Sequence, residues 1–91
     1  MANKAYHIEL VQKESPYICM GFMKETSIKS GKLEFTSSEK QALTIKDKET
    51  MGKALNLIAE HNKNRYYVYL MDWITEVDSK KRVFQSEIEW D

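Results

Sequence analysis

The chain predicts an α+β fold in the order β-β-β-β-α-β-β. The sheet is expected to be antiparallel or mixed, of about five or six strands, with one helix packed on a face. Three observations predict it. Residues 47–62 carry the single long stretch with helical apolar spacing, and they begin at a capping residue. Short runs rich in aromatic and β-branched residues stand on either side of it. Polar, turn-forming clusters at 13–16, 37–41 and 78–81 separate those runs at hairpin distances.

The first strand is expected where Tyr6, Ile8 and Leu10 alternate with His7, Glu9 and Val11, the pattern of a half-buried strand. Lys13, Glu14, Ser15 and Pro16 make a turn, with proline where its fixed φ helps and its missing N–H costs nothing. Residues 17–23 read as a second strand, apolar on both sides and paired to the first as a hairpin. Within it Gly21 marks a bulge or a close approach by another element. Residues 25–31 are polar and read as a mobile loop, and residues 33–36 as a short third strand. A polar turn at 37–41 leads to a fourth strand at 42–45.

Asp47 stands at the helix N-cap, where its carboxylate can accept from the free N–H groups of the first turn. Glu49 adds negative charge at the positive end of the helix dipole. Met51, Ala54, Leu55, Ile58, Ala59 and Asn62 share one face, while Gly52, Lys53, Asn56, Glu60 and Lys63 share the other. Leu57 sits at the edge of the apolar face, with His61 nearby. Gly52 is a soft spot, costing about 1 kcal/mol relative to alanine in a helix interior. The helix should close near residues 62–64, because asparagine tolerates the left-handed conformation. Residues 65–77 form the longest expected strand, and residues 83–90 pair back as the last one, with Phe84, Ile88 and Trp90 facing one way.

Composition narrows the function. The 91 residues carry 14 basic and 14 acidic side chains, so no global field draws in nucleic acid or mimics it. With 42% apolar residues and one proline the chain is ordered, and its size suits a single domain. No apolar run approaches the roughly 18 residues of a membrane span, and no basic start leads into an apolar stretch. The expected setting is the cytoplasm, without membrane contact. Cys19 is the only cysteine, which excludes an intramolecular disulfide and any cysteine-rich zinc site.

No catalytic constellation is legible, and neither an enzyme nor a cofactor is expected. His7 and His61 lie on different elements without ligands at metal spacing, and read as a partly exposed strand residue and a helix-end residue. Cys19 lies in an apolar strand, where thiols are usually inert core groups. The three glycines are far apart, so no phosphate loop exists. Asp72 interrupts an apolar strand. A carboxylate there could be functional, but more often marks where a strand leaves its sheet.

Two binding readings use the same aromatics. In the first, a protein contact centres on Tyr67, Tyr69 and Trp73, with Trp90 and Leu57 as outlying members. Tyr and Trp are favoured at interface centres, and one helix covers only one face of a sheet. The partner would be another protein or a second copy closing a homodimer, with a structural subunit of a homo-oligomer as a further reading. Burial of these rings in the core is the alternative to any interface. In the second, single-stranded nucleic acid stacks on those rings between Lys63, Arg65, Lys80, Lys81 and Arg82. Glu76, Asp78, Glu87, Glu89 and Asp91 oppose this by repelling phosphates.

The run Ala42-Leu-Thr-Ile-Lys-Asp-Lys-Glu-Thr-Met-Gly-Lys-Ala54, followed by Tyr66-Tyr-Val-Tyr-Leu70, resembles small uncharacterised proteins of phages and prophages of low-GC Gram-positive bacteria. In those, a strand containing alanine leads into a helix that starts on lysine and acidic residues, and then into a closing strand. Thr50 stands where a second acid is usual, and the final hairpin is longer. The resemblance implies a small accessory protein without enzymatic activity that binds and inhibits or redirects a host protein. It brings no functional residues with it.

Overall fold

The computed structural model describes residues 4–13, 18–63 and 70–90. Strands β1 (Tyr6–Gln12), β2 (Cys19–Met23), β3 (Phe35–Thr36), β4 (Leu70–Glu76) and β5 (Arg82–Val83) form one sheet in the order β3-β2-β1-β4-β5. Every pairing is antiparallel. A short helix α1 (Thr26–Ser30) follows β2, and the long helix α2 (Lys48–Lys63) connects β3 to β4. The α+β class therefore holds, with the antiparallel form of the sheet. Three reversals separate β3 from β4, so the strand–helix–strand step makes no parallel crossover.

β1 lies at the centre, hydrogen-bonded on both sides. Its residues Tyr6, Ile8 and Leu10 join Met23, Ile74, Leu43 and Ile45 with Met51, Ala54 and Ile58 of α2 in one buried cluster. Ile8 and Leu10 have no exposed surface. Removing two such side chains from water contributes about 1.5–3 kcal/mol each. The expectation of a half-buried strand is corrected: His7 and Val11, on the face away from α2, are buried as well. On that face the Phe22 ring of β2 and Thr44 cover His7, while Glu9 between His7 and Val11 stays half-buried.

The start of α2 is built as expected. The Thr50 N–H donates to Asp47 Oδ1 at 2.7 Å, and the Thr50 hydroxyl to Asp47 Oδ2 at 3.1 Å. Those bonds, the Thr50 amide first, hold the Asp47 carboxyl below the usual carboxylate range. Ala59, expected on the apolar face, is exposed instead, because the contact line with the sheet runs through Met51, Ala54 and Ile58.

Four local expectations are corrected. Residues 26–30, expected in a mobile loop, form α1. Its Gly31 cap takes φ 71° and returns its N–H to the Ser27 carbonyl, while the buried Ser27 hydroxyl accepts the Glu34 N–H at 2.9 Å. Residues 42–45 are not a strand. Only Ala42 and Ile45 form isolated bridges, to Lys24 and Tyr6, because this segment crosses the ends of β2 and β1 rather than running beside either. The last strand stops at Val83. The chain then makes a 3-10 turn over Gln85–Glu87, and Ile88 and Trp90 turn inward against the core, which pairing along β4 would forbid. Asp72 does not mark an exit from the sheet, since it sits within β4, opposite Leu10.

Gly21 is the exception to residue-independent geometry. It takes φ 107° beside a register shift in which Leu10 and Val11 face Gly21 and Cys19. A Cβ there would lie 2.8 Å from the Thr36 carbonyl oxygen of β3, so the expected close approach is real. Gly52 has open space where its Cβ would be. Gly21→Ala is expected to lower stability by about 2 kcal/mol, and Gly52→Ala to raise it by about 0.5–1 kcal/mol. Urea midpoints at unchanged m-value measure both, and a neutral Gly21→Ala would refute the crowding.

Candidate protein-binding surface

The register of β1 and β4 divides their side chains between two faces. Ile8 faces Ile74 on the helix side, whereas Glu9 faces Trp73 and His7 faces Thr75 on the reverse side. Trp73 is therefore on the sheet face that α2 does not cover. Arg82, paired with Thr75 one strand further out, lays its guanidinium 3.5 Å above the Trp73 ring. Such a stack contributes about 0.5–1 kcal/mol at a half-exposed ring and holds both groups in one orientation.

At the outer border of this face the chain departs from β4. Asp72, Trp73, Ile74, Arg82, Val83, Phe84 and Gln85 line a groove there. Phe84 is 72% exposed, the most exposed large apolar side chain among the described residues. Its position follows from the turn after Val83: once the chain leaves the strand to bring Ile88 and Trp90 inward, Phe84 is left outside. The groove thus combines two aromatic rings, a stacked cation and an exposed carboxylate. Phe84 was expected with Ile88 and Trp90 on one strand face, and nothing in the alternation of 83–90 distinguishes it from them.

The remaining candidates lie elsewhere. Tyr67, Tyr69 and Arg65 fall outside the described residues. Trp90 meets Tyr6 edge-on, with ring centroids 5.8 Å apart, on the helix side of the sheet. There it lines a groove with Lys48, Met51, Gly52, Gln85, Ser86 and Ile88. Leu57 borders a different hollow between α1 and α2, beside Ile28 and Asn56. Trp73, Trp90 and Leu57 therefore belong to three separate surfaces.

Of the described cations of the nucleic-acid reading, Lys80, Lys81 and Arg82 stay together at the β4–β5 turn and Lys63 lies apart from them. Lys80 pairs with Glu39 at 2.6 Å, which holds the Glu39 carboxyl below its ordinary range, and Arg82 is stacked on Trp73. Lys81 lies at the β4–β5 turn, near the end of the sheet where α2 begins. Lys63 is at the opposite end of α2, about 22 Å further along the helix axis.

Other reactive groups have different surroundings from those expected. His7 is not partly exposed but 5% exposed, packed edge-on to Phe22 at 5.4 Å, with its Nε2 3.5 Å from the Thr44 hydroxyl. Burial lowers its pKa below 6.5. Glu39 opposes the shift, and Lys80 reinforces it. Cys19 is not a core thiol but exposed, and lies 3.4 Å from Glu9 Oε1. Partial desolvation of the sulfur raises its pKa, the Gly21 amide draws it back, and the Glu9 carboxylate raises it further, so the thiol stays protonated at neutral pH. Among the described residues no group of three or more His, Cys, Asp or Glu could hold a metal ion. Nor is any of their helices long and apolar enough to cross a membrane. Compared with known proteins, the chain matches no family model, no curated protein and no solved structure.

The buried imidazole makes stability depend on pH in a definite direction. His7 is neutral in the folded protein at pH values where the unfolded chain, near 6.5, already takes up a proton. Its contribution is complete above pH 6.5 and is lost as the pH falls from there towards the lowered folded pKa. The denaturation midpoint is expected to drop between pH 7.5 and 5.5, and a His7→Gln variant to show a flatter profile. Identical slopes in the two proteins would remove His7 as the cause.

Proposed function

We propose that this protein is a small accessory protein of a phage or mobile element that acts by binding a host protein and modulating it, with inhibition as the outcome, and not by catalysis. The surface that supports the reading is the corner where Phe84 stands exposed beside Trp73 and Arg82. Aromatic rings and arginine supply most of the energy at protein interfaces, because they bury large areas at small entropic cost. An exposed phenylalanine contributes little to the fold, so a contact that buries Phe84 gains the transfer of the 72% of its surface now in water. The phage setting and the host partner come from the resemblance of residues 42–54 and 66–70. For the rival reading, single-stranded nucleic acid, Lys63 lies apart from Lys80, Lys81 and Arg82, and Lys80 and Arg82 are already engaged by Glu39 and the Trp73 ring.

The test is capture by the tagged protein from nuclease-treated lysate of a Gram-positive host, compared with Trp73→Ala/Phe84→Ala at matched thermal stability. A discrete host protein retained at high salt, with capture by the variant reduced about tenfold or more, is expected. Undiminished capture by the variant would place the contact elsewhere. Loss of all binding on nuclease treatment, or a steep fall with salt, would favour nucleic acid.

A further inference from the structure

The geometry points to the outer edge of β4 at Asp72 as a strand-addition site for an extended, basic segment of a partner protein. This inference rests on the protein-binding reading and names the chemistry of the segment.

The hydrogen-bond phase of the sheet carries the argument. Tyr6 exchanges its N–H and C=O bonds with Ile45, away from β4, and Gln12 donates to Ile18, again away from β4. The residues of β1 that bond to β4 are therefore His7, Glu9 and Val11, and their partners are Thr75, Trp73 and Met71. On β4 the alternate residues Leu70, Asp72, Ile74 and Glu76 direct their backbone groups outward. Glu76 donates to the Lys81 carbonyl, and Ile74 faces Val83. The next outward residue is Asp72, which continued pairing would set opposite Gln85. Gln85 has already entered the 3-10 turn, where its carbonyl accepts the Ile88 N–H. Among the described residues nothing pairs with the outward N–H and C=O of Asp72.

An open backbone donor and acceptor on a sheet edge are complementary to another extended main chain. The side chains at that point add selectivity. Asp72 is exposed, on the helix-side face of the edge. The groove of Trp73, Phe84 and Gln85 opens where β5 departs, with the Arg82 guanidinium held on the Trp73 ring on the face opposite Asp72. A strand laid along this edge meets a carboxylate on one face and an aromatic groove beside it. A lysine or arginine opposite Asp72 is attracted, whereas an acidic residue is repelled. Self-pairing of two copies about this point would set Asp72 against Asp72, which disfavours the homodimer and selects a different chain.

The probe is a pair of capped peptides of about seven residues, alternating valine with lysine in one and with glutamate in the other. They are titrated into the isotope-labelled full chain, following the Asp72 amide by NMR. The lysine peptide is expected to shift that amide and slow its hydrogen exchange, and the glutamate peptide to bind about fivefold more weakly or less. N-methylation of alternate peptide bonds should abolish binding, and Asp72→Asn should erase the preference between the two peptides while the fold persists. No perturbation at Asp72, or equal binding of the N-methylated peptide, would overturn the strand-addition site. Concentration-dependent protection of Asp72 without peptide would overturn it in favour of a second copy. Capture of a host protein that depends on Trp73 and Phe84 but not on this edge would leave the broader binding reading intact.

Discussion

Everything in this fold hangs on β1 being paired along both of its edges. Its two hydrogen-bond ladders place β2 and β4 in one plane, and that plane gives α2 a floor of Ile8, Leu10 and Ile74 to pack on. A buried backbone must satisfy each of its N–H and C=O groups, and a central strand does so only when both neighbours are present. The remaining strands are accessory by comparison. β3 and β5 have two residues each, and their short lengths are set by where the chain is needed next.

At one border β3 comes close enough to β2 that only glycine fits at position 21, so the bulge and the contact with Thr36 form one feature. At the other, the chain abandons β4 after Val83 because Ile88 and Trp90 lose more water against Tyr6 and Met51 than they would along an exposed edge. That choice leaves Phe84 outside, Arg82 over Trp73, and the backbone of Asp72 without a partner among the described residues. The candidate surface is thus a by-product of core packing on the opposite face.

Charge arrangement bears on function more than charge count. Lys80 and Arg82 each have a local counterpart, in Glu39 and the Trp73 ring, and Lys63 is a helix length away. Cations engaged in this way hold the side chains around them in one orientation. An aromatic corner with a stacked arginine suits a protein contact of modest area, in which a few anchors carry the binding energy.

The helix and its cap, the β1–β2 hairpin, the close approach at Gly21 and the α+β class were all legible in the sequence, because each depends on residues within one or two turns of chain or on a simple period. That Trp73 alternates with Asp72 and Ile74 was legible for the same reason, but which of the two faces the helix covers was not. Tertiary structure decided the rest. The burial of His7 and the exposure of Cys19 depend on which strand is central and which lies further out, and alternation carries no information on strand order. α1 depends on Ser27 meeting the Glu34 amide, a contact between residues seven apart with no periodic signature. The departure after Val83, and with it Phe84 and the open edge at Asp72, depends on competition between a local ladder and a distant core. Local pattern specifies what a segment can form, but only the assembled molecule determines which of two permitted burials removes more apolar surface from water.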